Sequence, residues 1–266
     1  MGRLKNNFNF VGRIGNYIAY TINGSDQIFL KSPGGPSAEM IKNKDSFAEC
    51  RCNNVRWRGA VKGGQHLGAA LQSVANLKDK SYASRLNSLC RSLLIAHEAE
   101  TAGRGSVLFT RYGYLAENFS LNEHYFLESI VRAPIFSKIE RETMEATVEL
   151  PYLAPQVNLM NPFLQPYYRF VFVMHPVSDC IYNPQNQMYT NADAYNYSYA
   201  RIYTPWHPFK QTRQAETITF VPKQMMALEP NTSLVLSGGI EFGPEQDDSN
   251  LKIRKYSGAG KIFKLA

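Results

Sequence analysis

The sequence predicts an α+β fold with an N-terminal β-meander, a central helical block and a C-terminal antiparallel β-sandwich. Three observations predict it. Apolar residues recur every three or four positions only within residues 45–97. Short alternating segments precede that block. From Ile135 onward, short apolar runs alternate with Pro, Gly, Asn and Asp. We therefore expect two domains, residues 1–133 with the N-terminal strands and helices, and residues 134–266 with the sandwich.

Residues 7–32 contain three candidate strands, NFNFV, NYIAYTI and QIFLK. Asn23-Gly24-Ser25 lies between the last two, and Asn-Gly between apolar runs is a strong hairpin signal. Gly12 and Gly15 are expected to bracket a tight turn. A meander this small cannot build its own core, so it must pack against something else. Its aromatic side chains are candidate contact residues: Phe8, Phe10, Tyr17 and Tyr20.

The helical block predicts three helices, each with one apolar face. Gly63-Gly64 is expected to end the first helix, and residues 78–81 are expected to separate the second from the third. The predicted faces are Phe47, Cys50, Asn54, Trp57 and Val61, then Leu67, Leu71, Val74 and Leu77, then Leu86, Cys90, Leu93 and His97.

The C-terminal half contains seven or more short strands, which is typical of an antiparallel sandwich or barrel. The candidates are IFSKIE, ATVEL, YYRFVFVM, CIYN, ARIYT, ETITFV, TSLVLSGGIEFG, LKIRKY and KIFKL. Ser237-Gly238-Gly239 predicts either a bulge or a tight hairpin.

The net charge of +7 is concentrated in the first part of the chain. Residues 1–117 hold sixteen Lys and Arg against eight Asp and Glu, and residues 118–266 hold thirteen against fourteen. Such asymmetry indicates contact with nucleic acid, an anionic surface or an acidic neighbouring subunit, and the alternative is a solvated helix face. The candidate cations for a phosphate contact lie on the first helix: Arg51, Arg56, Arg58 and Lys62.

The segment NPQNQMYTNADAYNYSYA is rich in tyrosine and asparagine and contains no Lys or Arg. Tyrosine supplies contact area at a low entropic cost, so Tyr195 and Tyr197 are candidate contact residues. The alternative is a surface loop whose tyrosines fold back onto the sheet.

No local pattern indicates catalysis, a cofactor or a metal. The five histidines form no HExxH or HxxxH pair, and no nucleophile elbow or dinucleotide fingerprint occurs. His175, Asp179 and Cys180 are close in sequence, but alternation along a strand would scatter them. The four cysteines are expected to be buried free thiols. We therefore predict a protein that is not an enzyme and holds no cofactor or metal.

The N-terminus has no apolar run typical of a signal peptide, and no stretch approaches eighteen consecutive apolar residues. These features predict cytoplasmic synthesis and no membrane span. Release from the cell, or assembly into a particle, is compatible with both.

Several short motifs resemble a family of leaderless proteins common in Bacteroidota. They are Val11-Gly12-Arg13-Ile14-Gly15-Asn16-Tyr17, Gly34-Gly35-Pro36-Ser37, Arg51 followed by Asn53-Asn54, and the proline-punctuated segment from Leu150-Pro151 to Pro155. The resemblance covers about the first two thirds of the chain and implies no activity. That family usually has a more acidic residue after the paired asparagines, where this chain has Val55-Arg56-Trp57.

These observations favour a self-assembling structural protein, a subunit of a filament, tube or particle. Its expected partner is itself, through strand addition by NFNFV or NYIAYTI and through charge complementarity. The alternative is a nucleic-acid-binding protein that uses the basic helix face. A third possibility is a carbohydrate- or peptide-binding sandwich that uses the tyrosine loop.

Overall fold

A computed structural model of the chain describes residues 2–3, 10–22, 27–32, 34–101, 103–191, 199–222, 228–244 and 257–266. The fold is α+β, as predicted, with an N-terminal strand meander, helices after it and antiparallel sheets in the C-terminal part. The described helices are α1 (Ala38–Asn43), α2 (Ala48–Ala70), α3 (Tyr82–Glu100), α4 (Phe109–Tyr112) and α5 (Leu127–Ile130), with 3-10 turns at Asp45–Phe47, Gln72–Leu77 and Gly113–Ala116.

The described strands form four antiparallel sheets, with orders β1-β4-β3-β2, β10-β7-β13-β14, β12-β6-β5 and β8-β9, and β11 also pairs with β7. They are β1 (Gly2–Arg3), β2 (Gly12–Ile14), β3 (Tyr17–Thr21), β4 (Ile28–Lys31), β5 (Phe136–Glu140), β6 (Glu145–Leu150), β7 (Tyr167–Ser178), β8 (Cys180–Asn183), β9 (Met188–Asn191), β10 (Ala200–Tyr203), β11 (His207–Pro208), β12 (Glu216–Phe220), β13 (Thr232–Gly243) and β14 (Gly258–Leu265). The predicted strand LKIRKY lies outside the described residues.

The chain divides into two compact units, Met1–Asn54 and Val55–Ala266. The sequence-based division at residues 133 and 134 differs from this one. The helices after Val55 share a hydrophobic core with the C-terminal strands, so they form one unit with them.

In the first unit, β3 pairs with β4 in the hairpin arrangement that Asn-Gly predicted, and residues 23–26 between them are outside the described residues. The expected turn around Arg13-Ile14 is wrong. Those residues belong to β2, and the turn is formed by Gly15 and Asn16, which join β2 to β3. Gly15 has φ +54°, which glycine adopts without strain at the first central position of a two-residue hairpin loop.

The second unit consists of three layers around the β10-β7-β13-β14 sheet. One face of that sheet contributes residues such as Val171 and Val235 to a core shared with α2 and α3. The other face contributes Phe172 and Leu236 to a second core shared with the β12-β6-β5 sheet. Because both faces are covered, every residue of β13 is buried.

The expected helix break at Gly63-Gly64 is wrong, because α2 continues through both glycines. A Cβ at Gly64 would lie 2.1 Å from the Asn87 side-chain oxygen, and one at Gly63 would lie 3.0 Å from Val107. These glycines therefore permit close packing rather than a break. The buried face of this helix consists mainly of Gly and Ala, and the Trp57 side chain, predicted to be on that face, is 47% exposed.

Other expectations on the core are confirmed. The apolar residues predicted for the second and third helical stripes are buried, although Val74 and Leu77 lie in a 3-10 turn rather than in a helix. The Ser237 region forms a bulge, seen as a register shift between β13 and β14. Gly238 lies against the backbone of β7, where a Cβ would come within 2.3 Å of the Val171 carbonyl oxygen.

Candidate functional site

The four-stranded sheet of the first unit carries one face that combines cations with aromatic rings. Register places Arg13 opposite Ile18 and Ile18 opposite Lys31, and Tyr20 is opposite Phe29. The Tyr20 and Phe29 ring centroids are 5.9 Å apart, and the Lys31 ammonium lies 5.3 Å from the Tyr20 ring centroid. We call these five residues the basic face, because Arg13 and Lys31 are exposed at its surface.

The opposite face of the same sheet is apolar and poorly covered. Ile14 is opposite Tyr17, and their side chains are 55% and 57% exposed. Ala19 is the one buried residue among the described residues of the first unit. We call Ile14, Tyr17, Ala19 and Leu30 the apolar face. Cross-strand pairs stabilise this sheet, but neither hydrophobic cluster of the described residues includes a member from it.

The predicted contact residues of the meander fall in different places. Tyr17 lies on the apolar face and Tyr20 on the basic face, while the Phe10 ring lies against Gly12. Phe8, Tyr195 and Tyr197 lie outside the described residues. The segment NYIAYTI forms β3, which pairs on both sides, so in this fold it presents no open edge to a neighbouring molecule.

The structure does not assemble the predicted row of helical cations as a common phosphate-binding surface. Arg51 donates through Nη1 to the Ile41 and Lys44 carbonyl oxygens, both at 2.8 Å, and so closes the C-terminal end of α1. Arg56 forms a 2.7 Å ion pair with Glu98. Arg58 and Lys62 are exposed and four residues apart on α2. The exposed charge of the predicted row is therefore reduced to two neighbouring side chains.

A buried chain of hydrogen bonds joins α2 to β7 and β9. The Ser178 backbone N–H donates to His66 Nε2 at 3.2 Å, and Ser178 Oγ lies 2.9 Å from the same nitrogen. The Asn191 amide lies 2.8 Å from His66 Nδ1. Through Nε2 the His66 ring accepts the Ser178 N–H, and its Nδ1 faces Asn191 Nδ2.

This Ser–His–Asn set resembles a nucleophile and base in composition, but its burial prevents such a role. Ser178 has no exposed surface and His66 is 4% exposed, so a substrate cannot contact the hydroxyl in this fold. The pKa of His66 is lowered to about 4, mainly by burial and to a smaller extent by the charges of His175 and Lys62. The chain of bonds therefore holds a helix against strands. Its members are far apart in sequence, so no local pattern could have predicted it.

The residues that lie close together in sequence near β8 do not converge. Asp179 accepts hydrogen bonds from the Thr110 backbone N–H at 3.0 Å and from its hydroxyl at 2.6 Å. Cys180 is buried, and burial raises the pKa of its thiol to about 12. The His175 ring stacks on Tyr199. His175 lies on β7, Asp179 follows that strand and Cys180 begins β8, and Asp179 and His175 bind different partners.

The other cysteines form no disulfide and differ in exposure, and Cys52 is half-buried rather than buried as predicted. Cys90 is buried, as predicted, and burial raises the pKa of its thiol. Cys50 is exposed, so the expectation of burial is wrong for it, because it lies off the glycine- and alanine-rich buried face of α2. No group of three or more His, Cys, Asp or Glu with metal-binding geometry occurs among the residues that the structure describes.

The outer face of the β12-β6-β5 sheet is acidic. Register places Glu140 opposite Glu145 and Phe136 opposite Glu149, and alternation along the strands puts these four on the side away from the core. Lys138 is on this side as well and forms an ion pair with Glu140. We call Phe136, Glu140, Glu145 and Glu149 the acidic face.

At one end of the acidic face, a cleft of about 390 Å³ combines an aromatic ring with carboxylates. Phe136 is 62% exposed there, and Glu149 is exposed beside it. Glu216 also lines the cleft but is ion-paired with Arg213. An exposed ring next to a carboxylate favours a cationic side chain, through charge and through cation–π attraction.

A larger cleft of about 700 Å³ lies where β7 begins and after β11, lined by Gln156, Met160, Asn161, Leu164, Gln165, Pro166, Tyr167, Pro208, Phe209, Lys210 and Gln211. Gln156 and Leu164 adopt positive φ values of 62° and 55°, which non-glycine residues rarely do. The Asn161 side chain bonds to the backbone of Gln165 on both sides and so holds the turn. The described lining has no His, Asp, Glu or Cys, and its titratable side chains are those of Tyr167 and Lys210.

Comparison with known proteins gives no match to a family model, to a curated protein or to a solved structure. The resemblance to the Bacteroidota family therefore stays a prediction. None of the helices in the described part of the chain is both long and apolar enough to cross a membrane.

Proposed function

We propose that this protein is a self-assembling structural protein, a subunit of a filament, tube or particle. The observation that supports the proposal is the exposed sheet of the first unit. Ile14 and Tyr17 are more than half exposed, and Ala19 is the one buried side chain among the described residues of that unit. A sheet with apolar side chains and no core of its own gains stability when another surface covers it.

Contact through faces fits this sheet better than contact through edges. The outer strands β1 and β2 have two and three residues, and β2 carries the exposed charge of Arg13. Short, charged edge strands discourage strand addition. Covering of the sheet faces therefore replaces the expected strand addition by NYIAYTI, and residues 7–9 of the other candidate, NFNFV, lie outside the described residues.

A second copy of the chain is the partner that the charges favour. Excess positive charge lies in residues 1–117, and an acidic face lies on the β12-β6-β5 sheet. Two different surfaces that complement each other produce a head-to-tail contact, which closes into a ring or continues as a filament.

The direct test is the molar mass of the purified protein by light scattering across concentration, with negative-stain microscopy of the assemblies. We expect the mass to rise with concentration. A variant lacking residues 1–32 retains both hydrophobic cores and should remain folded but monomeric. A full-length protein that stays monomeric at every concentration contradicts the proposal, and so does a truncated protein that forms the same assemblies.

The second candidate function is binding of single-stranded nucleic acid, and the basic face favours it more than the helical cations do. Tyr20 and Phe29 offer rings for base stacking, while Arg13 and Lys31 offer charges for phosphates. Affinity for an oligonucleotide should then fall with salt and fall in a Tyr20→Ala variant. The matched control is Tyr17→Ala on the apolar face. Absence of binding at low salt removes this candidate.

A further inference from the structure

We propose that the basic face of one copy binds the acidic face of the next copy, with Arg13 or Lys31 entering the cleft beside Phe136 and Glu149. This inference rests on the proposed self-assembly and names the two surfaces that carry it. Both surfaces belong to described residues, and they lie in different units of the chain.

The chemistry of the two faces is complementary. The basic face carries Arg13 and Lys31 as exposed cations. The acidic face carries three glutamates against the single lysine Lys138, whose charge already pairs with Glu140. Glu145 and Glu149 lie four residues apart on the central strand β6, so both carboxylates are on the same face of the sheet. Opposite charges arranged in this way fix the orientation of an encounter as well as its affinity.

The apolar groups of the two faces also match. The half-buried Tyr20–Phe29 pair lies beside the row formed by Arg13, Ile18 and Lys31 on the basic face. On the acidic face the apolar group is the Phe136 ring, which is 62% exposed. A cation that enters the cleft beside Phe136 meets the ring face and the Glu149 carboxylate together. The structure has such an arrangement elsewhere, where the Arg169 guanidinium pairs with Glu241 at 2.8 Å and lies over the Tyr203 and Trp206 rings.

A contact between two faces on different parts of the same chain is heterologous. An open assembly therefore keeps one unused basic face at one end and one unused acidic face at the other. Faces of three or four short strands bury little area, which makes a single contact weak. The assembly is therefore expected to depend on concentration and to dissociate as salt screens the charges.

The test uses two charge-reversal variants of the full chain. In the first, Arg13→Glu and Lys31→Glu make the basic face acidic. In the second, Glu145→Lys and Glu149→Lys make the acidic face basic. Each variant alone should begin to assemble only at a concentration about tenfold higher or more, as for loss of a few charge contacts.

Mixing provides the decisive measurement. In an equimolar mixture, the reversed face of each variant meets an oppositely charged face of the other, so alternating assemblies should form at the wild-type concentration. Light scattering reports the mass, and circular dichroism with thermal unfolding confirms that both variants are folded. The matched control for the first variant, Arg91→Glu with Arg132→Glu, makes the same change in net charge at exposed positions outside both faces and should assemble like the wild type.

The outcomes separate this inference from the proposed function. A monomeric wild type overturns both. If the wild type assembles and either reversed variant assembles equally well, self-assembly stands and this pairing is overturned. If both folded variants are monomeric and the mixture stays monomeric, the pairing is also overturned. Loss of oligonucleotide binding in the first variant, with its assembly unchanged, assigns the basic face to nucleic acid instead.

Discussion

The sheet of the first unit and the β10-β7-β13-β14 sheet of the second unit are both antiparallel, but they differ in what covers them. The second has helices on one face and another sheet on the other, so a strand such as Thr232–Gly243 is buried throughout. The first exposes Ile14 and Tyr17 and buries one alanine among its described residues. The comparison indicates that the second unit carries the stability of the chain, whereas the first presents surface.

The largest expected effect comes from removing a large side chain from the second core. Phe172 has no exposed surface and stacks on Phe170 with ring centroids 6.1 Å apart. Phe172→Ala should lower the free energy of unfolding by about 3–5 kcal/mol, because it removes buried apolar area and leaves a cavity. Urea unfolding of the variant and the wild type measures this difference in the free energy of unfolding. Phe29→Ala, on the half-buried sheet of the first unit, is the matched control and should cost less than about 1 kcal/mol. Equal costs would contradict the contrast between the units.

The next effect depends on pH and concerns the buried His66. Its pKa is about 4 in the folded protein and near 6.5 in an unfolded chain. Between these values the unfolded chain binds more protons, so the stability contributed by neutral His66 is complete above pH 6.5 and is lost as pH falls toward 4. The loss amounts to about 3 kcal/mol.

The control for this titration is His66→Gln, whose amide oxygen can still accept the Ser178 N–H. Subtracting the pH dependence of the variant from that of the wild type removes the contributions of other groups. We expect the difference in unfolding free energy to change between pH 7 and pH 4. A constant difference over that range contradicts the assigned burial of a neutral ring.

The sequence predicted the class of structure well but not the packing that positions the surfaces. Strand candidates followed alternation and apolar runs, and those that the structure describes in full are present. NFNFV is not among them, because residues 7–9 lie outside the described residues and Phe10 and Val11 belong to no strand. The buried side of α2 was missed because its contact depends on Gly59, Gly63 and Gly64, which carry no apolar signal. The spacing of apolar residues therefore predicted Trp57 on the buried face of the helix, although its side chain is 47% exposed.

The candidate surfaces were partly predictable. Tyr17 and Tyr20 were predicted to make contacts, but only the register of β3 against its neighbours shows that they belong to opposite faces. Glu145 and Glu149 carried no signal in the sequence, because a carboxylate on the outside of a sheet is an ordinary solvated residue until its neighbours across the strands are known. The hydrogen-bond partners of Arg51 are seven and ten residues away, so the sequence did not predict these bonds either.

A smaller effect tests whether the glycines of α2 serve close packing. A Cβ at Gly59 would lie 2.4 Å from the Tyr189 ring. Gly59→Ala should destabilise the second unit by about 1–3 kcal/mol from overpacking, partly offset by the better helix propensity of Ala. Gly103→Ala is the control, since nothing lies within 4 Å of its Cβ position. The melting temperatures of both variants, measured by thermal unfolding, test this prediction. An unchanged or raised melting temperature for Gly59→Ala would show that Tyr189 moves aside freely.

The smallest effect on stability should come from the apolar face of the first unit. Ile14→Ser with Tyr17→Ser removes two exposed side chains, so the unfolding free energy of the second unit should change by less than about 0.5 kcal/mol. If the first unit presents surface, however, the same variant should weaken assembly in light scattering. The control is Ile95→Ser with Tyr114→Ser, an exposed apolar pair outside that sheet. A variant that assembles like its control, with hydrogen exchange of β2 and β3 unchanged, would show that the exposed apolar face takes no part in contacts between copies.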